Sequence, residues 1–117
     1  MTESKITLHG QDYPVAFNLQ TIINFEDIAG HSIFVDNLTT MHSRVAMIMA
    51  AVLSADENTE LTINGILGNK DWQATTEIIA AYAIVDGMSS DFFKIPEIEK
   101  KADETEALTE GEEQPKN

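Results

Sequence analysis

The sequence predicts an α+β domain, mostly helical, in which an N-terminal two-stranded β-hairpin packs on three to four helices. Three observations carry that expectation. Ile6, Leu8, Tyr13, Val15 and Phe17 are interleaved with Thr7, His9, Pro14, Ala16 and Asn18, the period-two pattern of half-buried strands. Two later stretches, 41–55 and 72–88, are long and aliphatic and are bounded by capping and breaking residues, as buried helices are. The final stretch, 97–117, is charged and free of aromatics, a composition that cannot bury enough surface to offset the entropy of ordering. A single domain over 1–96 with a disordered acidic tail over 97–117 follows. The 117 residues suffice for a core without metals or disulfides.

Each element has a local reason. Gly10, Gln11 and Asp12 supply the tight loop of the hairpin. Pro14 has no N–H to give a ladder, which places the second strand at an edge. Asn18 caps a helix over 19–29, and Gly30 ends it in the left-handed conformation. Phe34 is the apolar anchor beyond that exit. Thr39 or Thr40 caps the next helix, where residues 45–53 are nine consecutive apolar side chains and His42, Ser43 and Arg44 are confined to the first turn. A helix apolar on all sides must be surrounded by something. After a polar break at 56–59, a short helix over 61–67 is capped by Thr62 and stopped by Gly68. Asp71 then caps a long helix running from Trp72 to about residue 86, with Gly87 closing it and 89–91 leading to Phe92 and Phe93.

Composition removes several functions. With no cysteine, thiolate zinc sites, iron–sulfur clusters and thiol nucleophiles are excluded, and a reducing cytoplasm fits. Acidic residues outnumber basic ones 20 to 7, a net charge of −13. Residues 97–117 carry eight acids and three bases, a net −5, so 1–96 hold the other −8. Phosphate backbones and anionic lipid require the opposite sign. The polar N-terminus is no signal peptide, and neither apolar run reaches the roughly 18–20 residues of a membrane span.

The remaining polar residues form no recognisable catalytic or metal-binding motif. His9, His31 and His42 lack the i, i+4 spacing of a metal-binding helix. Gly65 and Gly68 form a bare G-x-x-G without a phosphate-binding lysine, and no serine sits in a nucleophile elbow. The acidic run at 56–60 lacks the spacing and glycine of a calcium loop. The expectation is a protein that is not an enzyme and uses no cofactor and no metal. Glu26 stands out because it projects within the arc of Leu19, Ile22, Ile23, Phe25 and Ala29. A carboxylate there needs a partner, and Arg44 or backbone amides near the hairpin are the structural choices.

The hairpin ITLHGQDYPVAFNL (6–19) and the segment INFEDIAGHSIF (23–34) resemble the small tail assembly chaperones of long-tailed bacteriophages. Phe25-Glu26, Gly30, Ser32 and Phe34 match the pattern of that family, whereas Ala29 departs from its usual threonine. The resemblance implies a non-enzymatic chaperone in the cytoplasm of an infected host cell, binding the tape measure protein and tail tube subunits during virion assembly. It also implies a longer frameshifted product, for which codons of the Glu99-Lys100-Lys101 or Pro115-Lys116-Asn117 type would serve.

Two fully apolar helices are hard to cover in so small a domain. Either both form the core, or one keeps a face open for a partner or for another copy. On the second reading Met47, Met49, Leu53, Trp72, Ile79 and Tyr82 are the contact positions, with methionines adapting to varied partners, while Glu26, Gly30, Phe34 and Arg44 are structural. Other readings are an acidic nucleic-acid mimic that inhibits a DNA-binding protein, and a small homo-oligomeric structural protein.

Overall fold

The computed structural model describes residues 4–94; the expected disorder of 97–117 lies outside them. The architecture is an antiparallel hairpin followed by four helices, with one helix at the centre. Strands β1 (Ser4–Leu8) and β2 (Gln11–Val15) pair with Ser4 opposite Val15 and Leu8 opposite Gln11. The turn is His9-Gly10, both at positive φ (+54° and +83°), which is the two-residue geometry matched to strand twist. The chain therefore turns earlier than Gly10-Gln11-Asp12. His9 accepts the unfavourable backbone because its ring is held from outside the hairpin, as described below.

That register also explains Pro14. A two-residue turn makes Leu8/Gln11, Ile6/Tyr13 and Ser4/Val15 the hydrogen-bonded pairs, so Lys5/Pro14 is a non-bonded pair. The missing N–H of Pro14 would have faced outward, and nothing is lost. Ile6, Leu8 and Val15 point into the core. On the other face Thr7 donates to Asp12 (2.6 Å) and Lys5 pairs with it (3.0 Å), which together hold the Asp12 carboxyl below its ordinary pKa.

Helix α1 (Leu19–Ala29) begins at a reciprocal cap. Asn18 accepts from the Thr21 N–H, and the Thr21 hydroxyl accepts from the Asn18 N–H at 3.0 Å. It ends at Gly30, φ +84°, whose N–H bonds the Glu26 carbonyl at 2.9 Å. The buried arc is Thr21, Ile22 and Phe25, so it is rotated away from the arc that hydrophobicity suggests. Leu19 and Ile23 are exposed. Thr21 lies inside because its hydroxyl is fully partnered: it is 3.0 Å from the Ala16 carbonyl and 2.7 Å from Ser54 Oγ, which itself donates to the Ala50 carbonyl.

Beyond Gly30, Ser32 caps a short 3-10 turn, Ile33–Val35. The anchor here is Ile33, which is buried; Phe34 is 71% exposed. A 3-10 turn carries neighbouring side chains to different sides, and it is Ile33 that joins the core cluster.

Helix α2 (Met41–Ala55) is capped by Thr40, whose hydroxyl accepts from the Ser43 N–H at 3.1 Å. Every residue from Val45 to Val52 is buried. The helix is covered by α1, by β2, by α3 (Ile63–Leu67) and by α4 (Trp72–Phe92). Removing a Val, Ile or Met side chain from water contributes about 1.5–3 kcal/mol, so this one helix supplies much of the stabilisation. Its alanines, Ala46, Ala50 and Ala51, let the neighbours approach.

Helix α4 is longer than expected. It passes straight through Gly87 and ends at Phe93, whose N–H bonds the Ser89 carbonyl at 3.0 Å. Val85 and Ser89, buried on either side of Gly87, carry the inward face across the glycine, which is tolerated within a helix at about 1 kcal/mol relative to alanine.

Candidate docking surface

One face of α4 covers α2: Ala74, Ile78, Ala81, Val85 and Ser89 are buried. At about 100° per residue, the opposite side is formed by Trp72, Thr76, Ile79, Ala80, Ala83 and Gly87, with Ile84 at its border. These residues are exposed, with Trp72 at 76%, Ile79 at 45% and Ile84 at 43%. The helix is thus apolar on its inner side and largely apolar on its outer side. Its only charged residues are Glu77, Asp86 and Asp91.

The six expected contact positions separate. Trp72 and Ile79 lie on this outer face. Met47 and Met49 do not: both are buried in α2, packed by the elements that surround it, and no partner reaches them in this arrangement. Leu53 is half-buried against the core. Tyr82 is half-buried too, with the Arg44 guanidinium 5.4 Å from its ring centroid, a cation–π distance. Burial raises the Tyr82 pKa, and the nearby Asp86 carboxylate adds to that rise. Ala80, Ala83, Ile84 and Gly87 were missed. The signal was present as small residues at 80, 83 and 87, spaced three and four apart opposite the inward row.

Of the structural candidates, Gly30 takes its expected place and Phe34 does not. Glu26 is exposed on α1, outside the true buried arc, and among the described residues no ion pair joins it to Arg44. Arg44 instead donates from Nε to the Leu38 carbonyl at 3.2 Å.

A second apolar surface gathers four phenylalanines. Phe17 lies 5.3 Å from Phe92 and 5.7 Å from Phe93, and Phe93 lies 5.9 Å from Phe34, measured between ring centroids. Phe34, Phe92 and Phe93 remain exposed there.

Two polar clusters bear on catalysis. The Asp36 side chain, 7% exposed, accepts from His31 Nε2 (2.5 Å) and Ser43 Oγ (2.6 Å) on one oxygen and from the Leu38 N–H (2.6 Å) on the other. The His31 imidazole, then the Ser43 hydroxyl and the Leu38 amide, lower its pKa to about 2. A Ser, a His and an Asp meet here in the wrong order for acyl transfer. In a nucleophilic triad the imidazole stands between hydroxyl and carboxylate, whereas here the carboxylate stands between the other two, and Ser43 donates its hydrogen bond to Asp36. The cluster ties the loop after α1 to the start of α2.

The hairpin tip makes the other cluster. His9 Nε2 lies 2.8 Å from the Ile66 carbonyl and Nδ1 lies 3.4 Å from Glu77 Oε1, which also accepts the His9 backbone N–H. That backbone bond is the main reason the Glu77 pKa is lowered. The ring rests on Gly68, where a Cβ would come within 2.5 Å of it. The G-x-x-G glycine therefore serves packing.

Among the described residues no group of three or more His, Asp or Glu side chains is placed to hold a metal ion, and no helix is long and apolar enough to cross a membrane. No family model, curated protein or solved structure matches the chain.

Proposed function

We propose that this protein is a non-enzymatic assembly chaperone of the phage-tail kind. It holds the tape measure protein, and tail tube subunits with it, in the host cytoplasm until the tail forms. The observation that carries the reading is the outer face of α4, where Trp72, Ile79 and Ile84 stand in solvent around a strip of alanine and glycine. Apolar surface presented in a contiguous row suits the shielding of apolar segments on another chain. The resemblance of 6–19 and 23–34 to tail assembly chaperones supplies the identity of the client.

The nucleic-acid mimic loses three of the acids of the folded part. Asp12, Asp36 and Glu77 are each engaged by neighbouring side chains and amides, and are not free to imitate a row of phosphates.

Co-expression of the full chain with a tape measure protein tests the reading. The two should co-purify, and Ala83→Asp or Ile84→Asp, on the outer face, should abolish the complex while leaving the circular dichroism spectrum unchanged. A complex that survives both substitutions would contradict it.

A further inference from the structure

We infer that the outer face of α4 receives a single amphipathic helix from another protein, whose bulky aliphatic row seats over Ala80, Ala83 and Gly87 and whose flanking lysines or arginines meet the acidic rim. The inference rests on the docking reading above and names the chemistry of its occupant.

Gly87 is the first argument. Gly10, Gly30 and Gly68 have positive φ, and Gly65 has Leu61 Cδ1 at 3.3 Å from its would-be Cβ. Gly87 has neither reason: it sits inside a regular helix, and a Cβ placed on it meets nothing within 4 Å. Glycine disfavours a helix interior relative to alanine, and nothing among the described residues repays it. A neighbouring backbone approaching closely at that point would. Ala83 and Ala80, one turn and two turns earlier on the same side, keep the approach open.

Charge is the second argument. Helix α4 contains Glu77, Asp86 and Asp91 and no lysine, arginine or histidine. Among the described residues Asp86 makes no ion pair, and Asp91 has only the exposed Lys94 at 3.9 Å. Of the other cations, Lys5 is engaged with Asp12 and Arg44 with the Leu38 carbonyl and Tyr82, while Lys70 is exposed in the turn before α4. A rim of this sign favours a basic partner. A second copy would bring another −13 against it.

Area is the third. From Trp72 to Gly87 the face is about 22 Å long and about 10 Å wide, taking 1.5 Å per residue and one helix diameter. A footprint of roughly 220 Å2 falls well below the ~800 Å2 that each partner gives to a stable complex. It fits one helix lying along another, read through anchors at i, i+3, i+4 and i+7.

Three labelled peptides test this on the full chain: a leucine-faced helix flanked by lysines, the same face flanked by glutamates, and a scrambled control. Fluorescence anisotropy should show the lysine peptide binding at least tenfold tighter than the glutamate peptide at low salt, with the gap closing as salt rises. Asp86→Asn with Asp91→Asn should shrink that gap, which separates the rim from the charge of 97–117. Gly87→Leu should leave the thermal midpoint equal or higher and weaken lysine-peptide binding at least tenfold. Equal binding of the two peptides, a gap indifferent to Asp86 and Asp91, or an indifferent Gly87→Leu would each overturn the inference. If neither peptide binds while a tape measure client is still captured, the helix inference fails and the chaperone reading stands. If that client is not captured either, both fail.

Discussion

Substituting Gly68 by alanine strikes the joint between the hairpin and the helices. A Cβ at that position lies 2.5 Å from His9 Cε1 and 2.6 Å from Nε2, and the backbone there has φ +55° and ψ −129°. The conformation alone disfavours an L residue by about 1–3 kcal/mol. The imidazole must also move, and it cannot do so while keeping its 2.8 Å bond to the Ile66 carbonyl, worth about 1 kcal/mol. Gly68→Ala should therefore destabilise the protein by about 2–4 kcal/mol, read as a lower urea midpoint at unchanged m-value. A double-mutant cycle with His9→Gly isolates the clash. His9→Gly relieves a left-handed residue, φ +54°, as it removes the bond, so alone it should be nearly neutral. In that background Gly68→Ala should cost only its backbone part, leaving a coupling of about 1 kcal/mol or more. Strict additivity would show that the ring and the glycine do not press on each other.

Three further outcomes are expected. The Asp36 carboxyl is held at about 2 against an ordinary 3.8, so its contribution is present above about pH 4 and is lost as pH falls toward 2; Asp36→Asn should flatten stability against pH in that window and lower stability at neutral pH by about 2 kcal/mol, measured by urea titration across pH. Thr21→Val keeps the shape but breaks the link to Ser54 and leaves the Asn18 N–H without its side-chain acceptor, lowering stability by about 1–2 kcal/mol. Ile33→Ala should cost about 2–4 kcal/mol, whereas Phe34→Ser should stay within about 0.5 kcal/mol; thermal melts of the pair show which residue anchors the turn.

The parts of the fold governed by local chemistry were legible in the sequence. Asn18, Thr40, Thr62 and Asp71 all cap the helices they precede, because a side-chain oxygen at that point bonds amides only three residues away. Strand alternation placed Ile6, Leu8 and Val15 inward for a similar reason. What depended on distant partners was not legible. Thr21 looks like a surface residue until Ser54, 33 positions on, supplies its bond, and with Thr21 turned inward Leu19, Ile23 and Glu26 turn out. His9 adopts a turn conformation that its own neighbours do not favour, because Ile66 and Glu77 hold it. Gly87 reads as a stop, yet the helix continues because Val85 and Ser89 pack on both sides of it. The docking face was legible only in part. Hydrophobicity named Trp72 and Ile79 together with Met47 and Met49, and it does not say which of two apolar helices is surrounded. Coverage by α1, β2, α3 and α4 settles that for α2, and among the described residues the far side of α4 is uncovered.

Because the natural chain has no cysteine, single thiols report on that difference without interference. Ala83→Cys and Ala50→Cys, compared in the full chain by the rate of thiol labelling, probe the outer side of α4 and the enclosed helix α2. The account predicts rapid labelling at position 83, suppressed when client is added, and slow labelling at position 50 with or without it. A thiol at 83 that is shielded in the free protein, or one that labels equally fast when client is bound, would contradict it.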